Sequence, residues 1–122
     1  MPETQLFEPS HLQTEQVESL IAAAGVDGTR AILEAFQRST LELLELLDHG
    51  LKDGSLNEAY KNAHAVKGSA ANVGAQLLAE AAGSIEGACK DGNAAAAFQF
   101  LNEAQSKFET FCVHFDAHLA QY

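Results

Sequence analysis

Proline is confined to the start of this chain. The 122 residues include two prolines, Pro2 and Pro9, and none between residue 10 and residue 122. Proline breaks helices because its ring removes a backbone donor and clashes with the preceding turn. The proline-free stretch therefore permits long helices. Hydrophobic residues make up 47% of the chain, which is enough for a packed core and too many for a disordered polar segment.

Glycines divide this stretch into five segments, and within each segment apolar residues recur every three or four positions, as on one face of a helix. The inward-facing stripes run from Val17 to Ala24, Ile32 to Leu51, Leu56 to Val73, Leu78 to Ala88 and Leu101 to Leu119. Residues of helix-capping type precede the segments: Ser10 or Thr14, then Asp27, Ser55 (in an S-x-x-E capping box with Glu58) and Asn93. No strand pattern competes.

The predicted fold is all-α. Short connections force neighbouring helices to run antiparallel, so the last four segments predict an up-down four-helix bundle. The first segment is expected to pack across the bundle as an additional N-terminal helix, like a lid. We expect one domain over residues 1–122, with an extended segment at 1–9 and the bundle at about 27–121. The last helix is expected to span about 28 residues, or roughly 42 Å.

The charge and the apolar pattern of the sequence argue against several classes of function. Seven Lys and Arg residues oppose 17 Asp and Glu residues, for a net charge of −10, which argues against binding nucleic-acid phosphates. No apolar run approaches the roughly 20 residues of a membrane span. The opening MPETQLFEPS lacks the basic and apolar regions of a secretory signal. We therefore expect a cytoplasmic protein in which Cys89 and Cys112 are reduced thiols that pack as small core residues.

One histidine has unusual surroundings. His64 follows the stripe residue Ala63, so it lies at the edge of the buried face, with Lys67 and Gly68 one helical turn away. An exposed imidazole nitrogen can attack phosphorus, Lys67 can balance the charge of an incoming phosphoryl group, and Gly68 leaves room for its approach. A lone histidine beside an apolar stripe is more often structural, so spacing suggests a site without establishing it.

The predicted third and fourth helices place more residues near His64. A turn after Val73 puts residue 83 level with His64, and Glu86 lies within one turn of that level. The Glu86 carboxylate could then accept the Nδ1 proton, which would leave Nε2 exposed, and Lys90 would extend the same strip. The strip predicted to face outward consists of Ala79, Ala82, Gly83 and Glu86. In the simpler alternative, Glu86 and Lys90 form an exposed pair and Gly83 only allows close helix packing.

Residues 63–75 read AHAVKGSAANVGA, and this stretch closely resembles the motif of the histidine-containing phosphotransfer (HPt) domain family, A-H-x-[LV]-K-G-[ST]-[SA]-x-N-[LV]-G-A. Nearly every position matches. Weaker resemblance covers residues 7–9, the Ala35-Phe36 pair and residues 77–86. The small departures are Ala65 and Val66, where Thr and Leu are commoner in the family.

The resemblance implies a four-helix bundle whose histidine carries phosphate between receiver domains of two-component phosphorelays. It implies that His64 is phosphorylated, Lys67 contacts the phosphoryl oxygens and Gly68 gives the receiver access. The family often has Gln or Glu at the position of Glu86, bonded to the imidazole, and sometimes a basic residue at that of Lys90. Such a protein is a phosphocarrier and not an enzyme, because it has no ATP site of its own.

The resemblance also implies the partners. These are receiver domains of response regulators or of a hybrid histidine kinase, and the receiver supplies the divalent metal, so that the chain itself needs no cofactor. We expect a monomer that binds neither nucleic acid nor membrane. Two alternatives stay open: the phosphoacceptor domain of a larger, chemotaxis-type histidine kinase, and a receiver-binding scaffold that takes no phosphate. A helical metal site at His114 and His118 is a more distant possibility, since no third ligand is evident.

Overall fold

The computed structural model describes residues 12–122, so the predicted extended segment at 1–9, the possible cap Ser10 and the residues at 7–9 lie outside the described residues. Four helices follow one another: α1 (Thr14–Lys52), α2 (Leu56–Val73), α3 (Gln76–Lys90) and α4 (Ala94–Leu119). Each helix packs against the next, and α4 closes the ring against α1. Residues 12–122 contain no strand. The predicted all-α bundle is confirmed.

The first two predicted helices follow each other directly as the two parts of α1, which meet at a sharp kink. Gly25 has φ 76° and ψ 173°, so the chain changes direction at one residue and resumes helical geometry at once. The hydroxyl of Thr29 donates to the carbonyl oxygen of Gly25 (2.7 Å) and supports the restart. The predicted N-cap at Asp27 is therefore wrong, and Thr14 is the first helical residue, after Gln13 at the N-cap position.

The other three turns share one geometry. Each contains a glycine with positive φ, and the next residue donates its N–H to the carbonyl five positions earlier. This bond satisfies a carbonyl that the helix end would leave unpaired. The three bonds are Ser55 to Gly50 (2.7 Å), Ala75 to Ala70 (2.8 Å) and Asn93 to Ala88 (2.8 Å). The short turns fix α2, α3 and α4 in antiparallel order.

The predicted caps differ in their outcomes. Asn93 caps α4 as predicted, since its side chain accepts the N–H of Ala96 at 3.0 Å. Ser55 occupies the N-cap position of α2, but its side chain makes no capping bond, so the predicted capping box does not form. Glu58 is instead 3.7 Å from Lys61 in an exposed ion pair.

The predicted apolar stripes meet in one core. One layer of it is aromatic: the ring of Phe36 on α1 lies 5.9 Å from that of Phe108 and 5.6 Å from that of Phe111, which is 5.4 Å from that of Phe115. These rings meet tilted or edge to face, as aromatic quadrupoles favour. The side chains that α2 turns toward the core include small ones, because Ala59, Ala63 and Ala70 are completely buried there. Small residues bring α2 close to α3.

The start of α1 lies against one end of the bundle. Gln13 donates its backbone N–H to the Gly74 carbonyl (2.9 Å), and the Gln16 amide donates to the Asn72 carbonyl (2.8 Å). Glu18 contacts His118 Nε2 (3.0 Å) and the hydroxyl of Tyr122 near the end of α4. Hydrogen bonds to the Tyr122 hydroxyl and then to His118 lower the pKa of Glu18. These contacts join the chain before the kink to α2, α3 and α4.

Gly74 meets two constraints at once, and this yields a stability prediction. It has φ +84°, and a Cβ there would lie 3.1 Å from Gln13 Cβ, Gln13 O and Gln16 Cβ. Gly74→Ala should therefore cost about 1–2 kcal/mol for the left-handed backbone and about 1 kcal/mol or more for overpacking. Urea unfolding measures the change in free energy.

The matched control is Gly92→Ala. Gly92 has φ +71° but nothing within 4 Å of the added Cβ, so only the backbone cost of about 1–2 kcal/mol applies. Equal losses in the two variants would show that the contact of the α1 start with this turn adds nothing.

Candidate functional site

The site lies on the hairpin of α2 and α3, where three pairs of residues face each other at successive levels. The pairs are Tyr60 with Lys90, His64 with Glu86 and Lys67 with Gly83. The residue numbers in each pair add to the same total, as expected for positions opposite each other in an antiparallel hairpin. The alanine face of α2 brings the two helix surfaces close enough for these side chains to meet.

His64 and Glu86 form the central pair. The His64 side chain is 67% exposed, and its Nδ1 lies 2.9 Å from Glu86 Oε2. The Glu86 side chain is only 9% exposed, and Ala82 one turn before it is completely buried. The prediction that these two residues face outward is therefore wrong, because the inward face of α3 is wide enough to include them. The predicted contact of Glu86 with the imidazole does form.

Lys67 contacts the second oxygen of the same carboxylate. Its Nζ lies 2.8 Å from Glu86 Oε1, and since that oxygen has no well-directed hydrogen bond, the contact is an ion pair. The Lys67 stem passes close to Gly83, since a Cβ at this position would be in ordinary contact with Lys67 Cδ at 3.6 Å. Glu86 thus serves His64 and Lys67 together, and the alternative of a simple exposed pair with Lys90 is wrong.

The contacts decide the ionisation of the carboxylate. Burial by itself raises the pKa of Glu86, but the Lys67 ammonium and then His64 stabilise the anion by more, so the pKa of Glu86 lies below its ordinary value. The same contact with Glu86 raises the pKa of Lys67. Near neutral pH an ionised Glu86 accepts the Nδ1–H of His64. In this tautomer of the neutral ring the lone pair is on Nε2.

Tyr60 and Lys90 form the pair nearest the start of α2. The Tyr60 ring is nearly parallel to that of His64 (10° between planes, 6.4 Å between centroids). The Lys90 ammonium is 5.9 Å from the centre of the Tyr60 ring, within the range of a cation–π contact. Sequence reasoning assigns Tyr60 no role, although an aromatic residue four positions before an exposed histidine lies on the same helix face and signals ring contact.

Gly68 has open space around it. A Cβ at Gly68 would have nothing within 4 Å, so the packing of residues 12–122 does not require glycine here. Glycine in a helix interior costs about 1 kcal/mol relative to alanine. Gly68 is exposed one turn beyond His64, and an access role for it would explain that cost.

The candidate metal ligands and the two cysteines do not form part of this site. Among residues 12–122 no three His, Cys, Asp or Glu side chains are placed to hold a metal ion, and His118 instead contacts Glu18. Cys89 is buried and Cys112 half-buried, and burial raises the pKa of both thiols. Within the described part of the chain, no helix has both the length and the apolar character needed to cross a membrane.

Comparison with known proteins identifies the family. The Hpt domain family model matches residues 31–121, well over half of the chain. The chain belongs to the Hpt domain family. Hpt domains are phosphocarriers that interact with receiver domains in phosphorelays, so a histidine phosphotransfer role is supported for this chain. No protein of curated function matches the sequence.

Two solved structures share the Hpt fold with this chain. Histidine-containing phosphotransfer protein B (HptB) from Pseudomonas aeruginosa is 24% identical, with a TM-score of 0.85 over 94% of this chain and 99% of its own. A candidate histidine-containing phosphotransfer protein from rice is 18% identical, with a TM-score of 0.82 over 96% of this chain and 85% of its own. The bundle of this chain is thus that of known Hpt structures.

The lowered pKa of Glu86 predicts a pH-dependent contribution to stability. A carboxylate with a depressed pKa stabilises the folded state above its ordinary pKa, and this stabilisation is lost as pH falls through the folded-state value. The difference in free energy of unfolding between the wild type and Glu86→Gln should therefore shrink from about pH 6 to about pH 3. Lys67 stays protonated throughout, since its pKa is raised from 10.5.

The measurement is urea unfolding at a series of pH values. Glu58→Gln is the control, because its ion pair with Lys61 is exposed and screened by solvent. Its difference from the wild type should be small and nearly constant. A Glu86→Gln difference that stays constant down to about pH 3 would contradict an ionised, paired Glu86.

Proposed function

We propose that His64 is the residue of this Hpt protein that is phosphorylated, and that the chain accepts a phosphoryl group from a receiver aspartate and passes it to another. The observation that carries this proposal is the pairing of an exposed imidazole with a buried carboxylate. Glu86 contacts Nδ1 at 2.9 Å while the His64 side chain is 67% exposed. A ring held at one nitrogen, on a side chain that is mostly exposed, supports a role for the other nitrogen as the phosphoryl acceptor.

In the proposed transfer, the Nε2 lone pair of His64 attacks the phosphorus of the aspartyl phosphate in line. The N–P bond forms as the bond from phosphorus to the carboxylate oxygen breaks, and the aspartate leaves as its carboxylate. The ring keeps its Nδ1 proton and becomes a cation, which the Glu86 carboxylate stabilises. Transfer to a second receiver reverses these steps. Such reactions depend mainly on positioning and charge stabilisation.

Lys67 changes partners in this proposal. Before transfer its ammonium is held by Glu86 at 2.8 Å, on the same face as His64. When the phosphoryl group arrives, the ammonium can contact the phosphoryl oxygens while the imidazolium takes over as a partner of Glu86. Lys90, which lies over the Tyr60 ring, is a second cation near the site. It lies one level from His64, on the side opposite Lys67. The proposed role of Gly68 is to leave room for the receiver.

The proposal also covers the metal ion, the oligomeric state and the cellular location. We assign the divalent metal to the receiver, whose aspartate carries the phosphoryl group, and no cofactor to this chain. We propose a monomeric cytoplasmic phosphocarrier without an ATP site, with residues 1–122 forming one domain. The phosphoacceptor domain of a larger histidine kinase would use His64 in the same way. A scaffold that takes no phosphate would not need the paired Glu86 and Lys67.

His64→Gln tests the proposal directly. The wild type, incubated with phosphoramidate or with receiver domains charged by acetyl phosphate, should acquire one acid-labile phosphoryl group, because a phosphorus–nitrogen bond hydrolyses in acid. His64→Gln should acquire none and should retain its helical circular dichroism. Intact-protein mass spectrometry at neutral pH measures the added mass.

A control on another exposed imidazole is His114→Gln, on α4, which should label as the wild type does. Labelling that persists in His64→Gln would overturn the assignment.

Gly68→Ala should separate access from stability. Nothing lies within 4 Å of the added Cβ, so the helix should gain up to about 1 kcal/mol. Transfer from a charged receiver should nevertheless slow by about tenfold, because the methyl group stands in the receiver's approach to His64. Thermal unfolding and single-turnover transfer measure the two effects.

Gly87→Ala is the matched control. Gly87 is also exposed, on α3, with nothing within 4 Å of the added Cβ. It should give a similar gain in stability, with transfer unchanged within about twofold. Equal transfer rates in the two variants would refute an access role for Gly68.

A further inference from the structure

We propose that Tyr60 is a positioning residue for phosphotransfer, and that its ring sets the plane in which the His64 imidazole presents Nε2. This inference rests on the proposed function of His64. It starts from the incomplete restraint on the orientation of the His64 ring. Among residues 12–122, one hydrogen bond, Nδ1 to Glu86 Oε2 at 2.9 Å, ties the His64 ring to the rest of the bundle. The ring is attached to α2 through two rotatable side-chain torsions, and one hydrogen bond at Nδ1 restrains only a combination of them, so the tilt of the ring depends on a further contact.

The orientation of the ring plane matters for the chemistry. The lone pair of Nε2 lies in the plane of the imidazole, so rotation of that plane swings the lone pair away from the line of attack. In-line transfer needs this lone pair aimed at phosphorus, and small errors of alignment slow such reactions strongly. Because the His64 side chain is 67% exposed, core packing does not hold the plane. A second contact is needed for that.

The Tyr60 ring supplies this contact. Its plane is within 10° of the imidazole plane, with 6.4 Å between centroids, in the range of offset aromatic pairs. Tyr60 is itself fixed, since it is half-buried at the α2–α3 surface and the Lys90 ammonium is 5.9 Å from its ring centre. The ring thus connects two levels of the hairpin: Lys90 helps to hold Tyr60, and Tyr60 orients His64.

Tyr60 lies at the edge of the core, half-buried against it. Its ring forms a wall of an open recess that also includes Leu56, Asn57, Cys89 and Lys90. Replacement of the ring therefore enlarges this open recess. Variants at this position should keep the fold, which makes the catalytic readout interpretable.

The test compares Tyr60→Phe with Tyr60→Leu. Phe keeps a flat ring and lacks only the hydroxyl, whereas Leu keeps an apolar side chain without a plane. Single-turnover transfer from the phosphorylated protein is measured against increasing concentrations of the receiver domain that reacts fastest with the wild type. For Tyr60→Leu we expect the saturating rate to fall by about five- to tenfold, with an unchanged half-saturating concentration. Tyr60→Phe should match the wild type within about twofold.

A second readout needs no phosphoryl group. Nuclear magnetic relaxation of the His64 ring, labelled at carbon and nitrogen, should show lower order in Tyr60→Leu than in Tyr60→Phe or the wild type. If Tyr60→Leu does not fold, Tyr60→Met takes its place. A wild type that takes no phosphoryl group on His64 would refute the proposed function, while the order of the ring would still test the role of Tyr60.

Three results would overturn the positioning role. Tyr60→Leu could transfer and order its His64 ring as the wild type does, which would leave the stacked ring without effect. The change could appear only in the half-saturating concentration, which would make Tyr60 a docking contact. Tyr60→Phe could be as slow as Tyr60→Leu, which would assign the effect to the hydroxyl.

Discussion

The chemistry of this protein depends on one buried carboxylate with two partners. Glu86 has a side chain only 9% exposed, yet it is ionised, because Lys67 at 2.8 Å and His64 at 2.9 Å offset the loss of its hydration. A buried charge without partners would be strongly destabilising. The site residues are therefore coupled: the carboxylate needs the lysine to stay charged, and the histidine needs the charged carboxylate to fix its tautomer.

This coupling explains why the fold matters for a reaction that asks little of the protein. The left-handed glycine turn at Gly74 and the alanine face of α2 set the level and spacing of α2 against α3. That spacing puts Tyr60, His64 and Lys67 opposite Lys90, Glu86 and Gly83 in turn. An error of one residue in the hairpin register would rotate Glu86 by about 100°, away from the imidazole, because a helix turns once in 3.6 residues.

Much of this arrangement can be predicted from the sequence, and the limits have physical causes. Apolar spacing predicts the helices, since a helical stripe needs no partner to be recognised. The kink at Gly25 was predicted as a break between two helices, because spacing cannot distinguish a one-residue change of direction from a loop. The height of Glu86 along the α2–α3 hairpin is enough to predict its contact with His64. The burial of Glu86 and Ala82, however, depends on the rotation of α3 about its axis. Only packing fixes that rotation.

The ion pair with Lys67 was missed for a related reason, and it changes how the site works. Sequence reasoning assigned Lys67 to the phosphoryl group and Glu86 to the imidazole, as two separate contacts. In the structure the ammonium and the imidazole share one carboxylate before any phosphoryl group arrives. In the proposed transfer, phosphorylation at Nε2 makes the ring cationic, and the ring then pairs with Glu86 as Lys67 turns to the phosphoryl oxygens. The net charge buried around Glu86 would change little during such an exchange, which allows forward and reverse transfer from the same resting arrangement.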